Sequence, residues 1–390
     1  MRVAYYSPMP PSRSGIADYS ALLLPELEKR VDVVVARPGR FRREPDADVA
    51  LYHVGNDPAE HGWIVEALRR RAGAGRVAGQ AGDARPEDRG ADGAPRIVVM
   101  HEFVLHHLVS GITLARGDLE AYADALEREA GPEGRKLARA VADGQIRPLW
   151  ETRPADYPLA GEILAFASGL IVHSRYVEER ARDAGYSGPV WQVPMPAWPV
   201  PDVTPAEIKG SPLLGTFGHV NESKRMPQLF EAFARLRARR PGARLLVVGA
   251  WSPRYADLAV PEGVIRRDYV PEDELWRLLA ACDAVVSLRW PTMGETSAAA
   301  IRALSLGKPL VVSDVGWFAE LPRSVAAKVR VGEGEIERLE RALEQTATDP
   351  EMGKAALELA RTEHNLQRVA DLYADALSIG AGRRPVPHAA

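Results

Sequence analysis

Residues 213–248 read LLGTFGHVNESKRMPQLFEAFARLRARRPGARLLVV. The run at 213–217 is short and apolar, as expected of a buried strand, and apolar residues recur at helical spacing from about 226 to 239. A second strand-like run follows at 244–248. Strands that alternate with helices form a parallel sheet with helices on both faces. This stretch therefore predicts a doubly wound α/β unit.

The alternation continues on both sides of this stretch. In the C-terminal half, strand-like runs lie at 283–288 and 309–313, and helical patterns lie at about 272–281, 297–306, 335–347 and 351–378. In the N-terminal half, strand-like runs lie at 2–6, 31–36, 49–54, 97–100, 169–173 and 190–193. A chain of 390 residues exceeds the size of one growing core. We therefore expect two Rossmann-like doubly wound parallel-sheet domains that face each other across a cleft.

Proline and glycine content indicates the domain limits. Seven prolines lie between Pro189 and Pro212, which is typical of a semi-rigid connector. We expect an N-terminal domain at 1–205 and a C-terminal domain at 206–378, whose last helix is a candidate for crossing back to the N-terminal domain. Residues 71–95 have scarcely any large apolar side chain, which predicts a mobile surface insertion, and 379–390 are expected to form a disordered tail.

Composition excludes several classes of protein. The formal net charge of -3 argues against a nucleic-acid partner. The single cysteine, Cys282, lies in an apolar run and is expected to be a core residue. The first apolar stretch is too short for a signal peptide, and no run is long enough to span a bilayer. We expect a cytoplasmic protein whose membrane contact, if any, is peripheral.

Ligands of open α/β sheets bind beyond the carboxyl ends of the strands, and the loop at 290–297 lies in such a position. It opens a helix, whose first turn offers unpaired N–H groups and the positive end of the dipole to an anion. Gly294 allows close approach of the backbone, Thr296 and Ser297 offer hydroxyl groups, and Glu295 is suited to accept from sugar hydroxyls. An ordinary helix cap is the alternative for the two hydroxyls.

The loop at 218–225 also follows a strand and enters a helix. Lys224 and Arg225 are expected in the first turn, where the helix dipole disfavours cations unless an anion offsets it. A phosphate partner would explain them, and a solvated basic pair is the alternative. His219 and Asn221 in the same loop are further candidates for contact with the ligand.

Three places in the N-terminal half are candidates for the same chemistry. Gly15 and Ile16 open the first helix after a turn-rich loop. His53 lies at the end of one predicted strand and Asn56 just after it, as acceptor-side candidates, and His101 lies at the end of the next as a candidate catalytic residue. The string from His101 lacks the His-Glu-x-x-His spacing of a zinc helix, because leucine occupies the fourth position. No metal site is expected.

These loops, in this order, resemble those of the family-four retaining glycosyltransferases of the GT-B fold. The segment from Gly218 to Arg225 is similar to the family's Gly-Arg-Leu-x-x-Glu-Lys-Gly stretch, so the resemblance implies that Lys224 contacts the donor diphosphate. Residues 294–316 are similar to its Glu-x7-Glu helix and the Gly-Lys-Pro-Val strand that follows. Residues 10–20 resemble the glycine loop beside the donor phosphate, and His101 falls where the family keeps a histidine near the transferred sugar.

The chain departs from the family at three positions. Arg302 replaces the second glutamate, which usually holds the donor ribose, and either contributes a positive charge there or covers the helix. Gly294 stands at the first glutamate, so Glu295 can replace that residue only through a shift of one place. His219 stands where an arginine usually meets the diphosphate.

The resemblance implies transfer of a sugar from a nucleotide diphosphate sugar to an unidentified acceptor, a small molecule, glycan or lipid-linked molecule. Retention and no requirement for a metal or other cofactor are also implied. Two alternatives stay open: a sugar-nucleotide epimerase or hydrolase of the same fold, and an inactive sugar-nucleotide-binding partner protein. A dehydrogenase is disfavoured, because no strand leads into a Gly-x-Gly-x-x-Gly turn.

Overall fold

The computed structural model describes residues 1–12, 14–39, 45–72 and 93–385. Most of the predicted insertion at 71–95 and the end of the predicted tail lie outside these residues. The chain divides into two compact units, of which unit 1 comprises Met1–Pro194 with Gln367–Ala390 and unit 2 comprises Met195–Leu366. The division falls within the proline-rich stretch. Among the described residues, none of the helices combines the length and apolar character needed to cross a membrane.

Unit 1 is built on a parallel sheet of six strands in the order β2-β1-β3-β4-β5-β6. Its strands are β1 (Arg2–Tyr6), β2 (Asp32–Val35), β3 (Val49–Val54), β4 (Arg96–Met100), β5 (Gly169–Val172) and β6 (Val190–Gln192). Its helices are α1 (Gly15–Leu27), α2 (Pro58–Ala72), α3 (His106–Ile112), α4 (Leu119–Ala142), α5 (Leu149–Thr152), α6 (Gly161–Phe166) and α7 (Arg175–Asp183). Strands β3 and β5 are buried along their whole length, because helices cover both faces of the sheet.

Unit 2 repeats this architecture, with strand order β12-β11-β10-β7-β8-β9. Its strands are β7 (Leu213–Phe217), β8 (Arg244–Val248), β9 (Val264–Arg267), β10 (Ala284–Ser287), β11 (Leu310–Ser313) and β12 (Ala326–Val329). Its helices are α8 (Met226–Arg239), α9 (Glu272–Ala281), α10 (Ala298–Ser305), α11 (Gly316–Glu320), α12 (Glu335–Thr346) and α13 (Pro350–Thr362). The chain then forms α14 (Leu366–Gly380), most of which belongs to unit 1.

The sequence prediction of two doubly wound parallel sheets is confirmed. Helix α8 illustrates why it succeeds: its apolar side chains at Met226, Leu229, Phe230, Phe233 and Leu236 are all buried, as the helical spacing requires. Cys282 is a buried free thiol, as expected. The predicted helix at 351–378 is wrong, because residues 363–365 separate α13 from α14. The tail was expected from residue 379, whereas α14 extends to Gly380.

Candidate functional site

In unit 2, the loops that follow β7 and β10 are joined at the carboxyl edge of the sheet. The backbone N–H of Trp290 donates to the carbonyl oxygen of Ser223 over 2.8 Å. Arg289 Nη1 donates to Ser223 Oγ over 3.0 Å, and the backbone N–H of Arg289 donates to Ser313 Oγ over 2.9 Å. These contacts hold three loop segments together, and the candidate residues between 218 and 297 lie on two of them.

Lys224 is buried within this group of loops, with 7% of the residue exposed. Its ammonium group donates to the carbonyl oxygen of Phe217 over 3.1 Å. Burial, assisted by the positive charge of Arg289, lowers the pKa of Lys224 to about 7, and Glu295 opposes the shift. A buried cation that lacks a full counter-charge is stabilised when an anion binds beside it. Lys224 therefore has the electrostatic properties of an anion-binding group.

The placement of Lys224 and Arg225 differs from the prediction. They do not lie in the first turn of a helix, because Glu222–Lys224 form a separate 3-10 turn and α8 begins at Met226. Arg225 caps α8 in a left-handed conformation, and its guanidinium group donates to both carboxylate oxygens of Glu335, over 2.6 and 2.5 Å. Arg225 is thus occupied by an internal ion pair, and only Lys224 of the basic pair faces the loops of the candidate site.

Glu295 accepts from the chain's own donors. Its Oε1 lies 2.8 Å from Arg289 Nε, and its Oε2 accepts from the backbone N–H of Met293 over 2.8 Å and from Thr292 Oγ1 over 3.2 Å. The carboxylate is fixed in the loop at about one-fifth exposure. Each carboxylate oxygen can accept more than one hydrogen bond, so Glu295 keeps capacity for a hydroxyl group.

Arg289 is a residue of this site that the sequence interpretation missed. It lies two residues after the end of β10, and its guanidinium group contacts Glu295 in its own loop and Ser223 in the neighbouring loop. A basic residue immediately after a predicted strand, beside a candidate anion loop, was the available signal. Its partners depend on how β7 and β10 pair in the sheet, which residue spacing alone does not show.

The N-terminus of α10 contributes hydroxyl groups that differ in their bonding. Ser297 is the N-cap residue of α10, and its hydroxyl oxygen accepts from the backbone N–H of Ala300 over 3.2 Å. The hydroxyl of Ser297 thus acts as an ordinary helix cap. Thr296 Oγ1 is buried, and no hydrogen-bond partner lies near it among the residues that the structure describes. Gly294, with φ of 90°, adopts a backbone conformation that favours glycine. Thr296 is therefore the hydroxyl that a ligand could satisfy.

The remaining candidates of unit 2 have different environments. His219 is exposed, whereas Asn221 is half-buried and its Oδ1 accepts from Ser223 Oγ over 2.8 Å. Arg302 is buried, with its guanidinium carbon 3.8 Å from the centre of the Trp198 ring and Nη2 3.3 Å from Glu272 Oε1. Of the two interpretations of Arg302, these contacts favour the one in which it covers the helix.

In unit 1, His53 and His101 are hydrogen-bonded to each other, with Nδ1 of His53 3.0 Å from Nε2 of His101. Burial lowers the pKa of both imidazoles well below 6.5, and His173 adds to the shift in each case. His53 is fully buried, so its own side chain offers no exposed surface to an acceptor, and its acceptor-side role stays a prediction. His101 keeps 8% exposure. His173 follows β5, and sequence interpretation missed it although a histidine after a strand had been noted twice elsewhere.

The other unit 1 candidates lie near the same edge of the sheet. Gly15 is the exposed first residue of α1, and a Cβ at Gly55, two residues after His53, would lie 2.5 Å from Ile16 Cδ1. Asn56 Oδ1 accepts from the backbone N–H of Leu108 over 3.0 Å, so its side chain supports the turn into α3. Within the described ranges, no group of three or more His, Cys, Asp or Glu residues could hold a metal ion.

Comparison with known proteins gives a class for unit 2. Residues 211–349, which include all six strands of its sheet, match the family described as glycosyl transferases group 1. The match bears out the expected class of enzyme, a glycosyltransferase. A search of curated proteins gave no match to the sequence.

Solved structures with a similar fold cover nearly the whole chain. Sucrose-phosphate synthase from Thermosynechococcus elongatus is 14% identical and aligns over 95% of this chain and 96% of that chain, with a TM-score of 0.61. Anabaena HepE in complex with UDP is 14% identical over 97% and 100%, with a TM-score of 0.56. AviGT4, a glycosyltransferase involved in avilamycin A biosynthesis, is 18% identical over 98% of both chains, with a TM-score of 0.54. At these identities the likeness shows the fold, which is that of GT-B glycosyltransferases.

Proposed function

We propose that this protein transfers a sugar from a nucleotide diphosphate sugar to an acceptor, and that unit 2 binds the donor. The observation that carries the proposal is the buried, weakly compensated ammonium group of Lys224. It interacts electrostatically with Glu295 and Arg289, within a domain that matches glycosyl transferases group 1. A diphosphate supplies the negative charge that this group of residues lacks.

Breaking the anomeric C–O bond leaves positive charge on the sugar and sends the bonding electron pair to the departing diphosphate. The acceptor oxygen forms the new bond to the anomeric carbon and gives up its proton, which the departing diphosphate can take up. In our proposal, Lys224 and the first N–H groups of α10 hold the diphosphate, and their stabilisation grows as negative charge develops on it. Thr296 Oγ1 donates to a phosphate oxygen and so gains the hydrogen-bond partner that it lacks among the described residues.

Glu295 accepts from donor hydroxyl groups in this scheme, and His101 of unit 1 contacts the transferred sugar. Asn221, Gly294 and Ser297 line the donor loops, and His219 and Gly15 with Ile16 are assigned to the donor by the family resemblance alone. Transfer with retention, membership of family four and independence from metal ions also belong to the proposal. Their support is the order of the sequence motifs, together with a fixed lysine and a helix N-terminus that can take the role of a metal ion.

One of the solved structures supplies the first donor to test. HepE has been crystallised with UDP and with UDP-glucose, so UDP-glucose is the first donor to test on this chain. The acceptor in our proposal is a small molecule, a glycan or a lipid-linked molecule, and the last of these would need only peripheral contact with a membrane. The cytoplasm, where nucleotide sugars are available, is the proposed location.

The test is a thermal-shift screen of the full chain with UDP-glucose, GDP-glucose and dTDP-glucose. A ligand at one hundred times its dissociation constant adds about 2.7 kcal/mol to the free energy of unfolding, which is readily measured. Lys224→Ala removes the shift in our proposal, while Lys354→Ala, which removes an exposed lysine from α13, keeps it. No shift with any of these donors would contradict the proposal.

Product analysis then separates the alternatives. The proposed transferase forms a new glycoside only when an acceptor is supplied, and a panel of sugars, lipid phosphates and hydroxylated small molecules provides the candidates. An epimerase or hydrolase converts the nucleotide sugar without any acceptor. An inactive binding protein shifts the unfolding temperature and yields neither product.

A further inference from the structure

We infer that His53 is a positioning residue that holds a proton on Nδ1 of His101, so that His101 acts on the sugar as a neutral hydrogen-bond donor and not as a base. The inference rests on the proposed function for the identity of the substrate. The assignment of the proton itself rests on the geometry of unit 1 alone.

The starting point is the bond between Nδ1 of His53 and Nε2 of His101, which are 3.0 Å apart. Only one of the two nitrogens can carry the shared proton. Both rings are neutral, because burial and the neighbouring His173 disfavour their charged forms. A neutral imidazole carries one N–H and one bare nitrogen. The direction of this hydrogen bond therefore decides whether the other nitrogen of each ring carries a proton.

The other nitrogen of His53 decides the direction. His53 Nε2 is buried, and no hydrogen-bond partner lies near it in the part of the chain that the structure describes. The ring packs among Tyr5, Tyr19 and Tyr373, at centroid distances of 4.7, 5.8 and 6.3 Å. The three hydroxyl groups are engaged elsewhere, since that of Tyr5 donates to Ser20 Oγ and those of Tyr19 and Tyr373 are bonded to each other.

If His101 donated to His53, then His53 would carry its proton on Nε2, as a buried N–H without a partner. If His53 donates to His101, the orphan atom is a bare acceptor nitrogen. Orphaned buried N–H groups are rarer in folded proteins than under-satisfied acceptors. The second arrangement is therefore favoured, with the proton of His53 on Nδ1 and the proton of His101 also on Nδ1.

The same tautomer occurs in the neighbouring histidines. Nδ1 of His61 lies 3.1 Å from the carbonyl oxygen of His53, and Nδ1 of His173 lies 2.8 Å from that of Val193, so each of these nitrogens must donate. Backbone carbonyl groups thus orient the rings of His61 and His173, and the ring of His53 orients that of His101. His101 lies 5.1 Å from His173 between ring centres and meets Tyr19 edge-on at 4.9 Å, which limits its rotation.

The consequence for chemistry is specific. The lone pair of His101 Nε2 is used in the bond from His53, so this ring has no bare nitrogen with which to take a proton from an acceptor hydroxyl. Nδ1–H can donate to an oxygen of the transferred sugar, and through that bond His101 would orient the sugar or stabilise its reacting form. The proton lost by the acceptor must go to another group, and in a retaining reaction the departing diphosphate is available.

The decisive measurement is the protonation of both rings in the full chain labelled with ¹⁵N-histidine, read near pH 7.5 from long-range ¹H–¹⁵N correlation spectra. The variants His53→Asn and His101→Asn assign the signals. The inference expects the proton on Nδ1 in His53 and in His101. A proton on Nε2 of His101, or a protonated cationic ring, would overturn it, whatever the activity of the protein.

A matched pair of variants tests the role in transfer. Asparagine places an N–H group where His53 has Nδ1, whereas phenylalanine keeps a ring and has no donor. We expect His53→Phe to move the proton of His101 toward Nε2 and to lower kcat about tenfold, the worth of one net hydrogen bond. His53→Asn should restore the proton on Nδ1 of His101 and most of kcat. KM for the donor should change little in either variant.

Equal kcat in the two variants and the parent, measured with the sugar nucleotide that binds, would refute the positioning role while leaving the transferase proposal intact. Conversely, failure of every donor to bind would contradict the transferase proposal while leaving the nitrogen spectra as an independent test of the tautomer. If thermal unfolding shows that His53→Phe is not folded, the spectrum of the parent protein alone decides the tautomer. The kcat of His53→Asn is then compared with that of the parent, and a kcat close to the parent's supports the positioning role.

Discussion

Arg289 Nε lies 2.8 Å from Glu295 Oε1, and this ion pair connects the start of the loop after β10 with the residue that precedes the turn into α10. The same guanidinium group donates to Ser223 in the loop after β7. One side chain thus holds together the two loops that carry Lys224 and Thr296. Since exposed ion pairs contribute little, it matters that Arg289 and Glu295 are only 14% and 21% exposed in their side chains.

We predict that Arg289→Gln lowers the affinity for UDP-glucose about tenfold, because a hydrogen bond to a charged group is worth roughly 1.5–3 kcal/mol and the loops lose their connection. Isothermal calorimetry measures the affinity. The control is Arg254→Gln, which breaks the exposed pair of Arg254 with Glu222 in the same unit. An affinity as high in Arg289→Gln as in the control would show that the ion pair does not shape the donor site.

Lys224 gives a pH dependence whose sign can be worked out. Its pKa is lowered to about 7, with Arg289 and Glu295 as the charged groups that contribute. A bound diphosphate favours the charged form and raises this pKa, so binding takes up a proton above pH 7 and affinity falls as the pH rises. Calorimetry at pH 8 in two buffers of different ionisation enthalpy should show proton uptake, and Lys224→Met should abolish it. Equal uptake in the variant would assign the proton to another group.

The same shift predicts a gain in stability when the lysine is replaced. In the unfolded chain lysine holds its proton up to about pH 10.4, so between pH 7 and 10.4 the unfolded state binds more protons and the free energy of unfolding rises with pH. Below pH 7 both states bind this proton, so the destabilisation from the buried charge is complete there and the group adds no further pH dependence. At pH 7 the free energy of unfolding of Lys224→Met should therefore exceed that of the parent by about 1–3 kcal/mol. The measured sign is unfolding at a higher urea concentration, and the difference should shrink toward pH 10. A less stable variant at pH 7 would contradict the burial argument.

The sequence predicts the secondary structure of this protein better than it predicts the contacts of the site residues. Ten of the twelve strands and α8 were predictable because their periodicity is local, as in 213–217 and 226–239, whereas β9 and β12 were not predicted. The residues at the strand ends were predictable as a set, since parallel strands end at one edge of a sheet. Their partners were not: Arg225 pairs with Glu335 and Arg302 packs on Trp198, each about one hundred residues away in the chain. Such contacts depend on tertiary packing.

Replacement of Thr296 should affect donor binding and the stability of the fold in different ways. Its Oγ1 is buried, and it lacks a hydrogen-bond partner within the described residues, so Thr296→Val removes an unsatisfied hydroxyl and should leave the unfolding temperature equal or higher. If the hydroxyl donates to a phosphate, the affinity for UDP-glucose should fall about fivefold, the effect of roughly 1 kcal/mol.

Thr346 in α12 is the matched control, because its Oγ1 is also buried and, over the same described ranges, also lacks a partner. Thr346→Val should have a similar effect on unfolding and none on the affinity. Loss of affinity in both variants would point to a general change in unit 2 rather than to a contact of Thr296 with the donor.

Arg302 tests the departure from the family pattern. Its guanidinium group lies against the Trp198 ring and beside Glu272, so Arg302→Met should keep the packing of the stem and lose about 0.5–2 kcal/mol of cation–π attraction. Arg302→Glu should be less stable still, because it places a second carboxylate near Glu272 in a buried position. Thermal unfolding of both variants and calorimetry with UDP-glucose check this.

The expected result is a lower unfolding temperature with the affinity of the folded protein unchanged within about twofold, as for a residue that covers a helix. A loss of tenfold or more in affinity with Arg302→Met, at a temperature where the variant is fully folded, would show instead that the guanidinium group reaches the donor. In that case the arginine would replace the family's glutamate by recognising a phosphate rather than ribose hydroxyls, because a guanidinium group donates and never accepts hydrogen bonds.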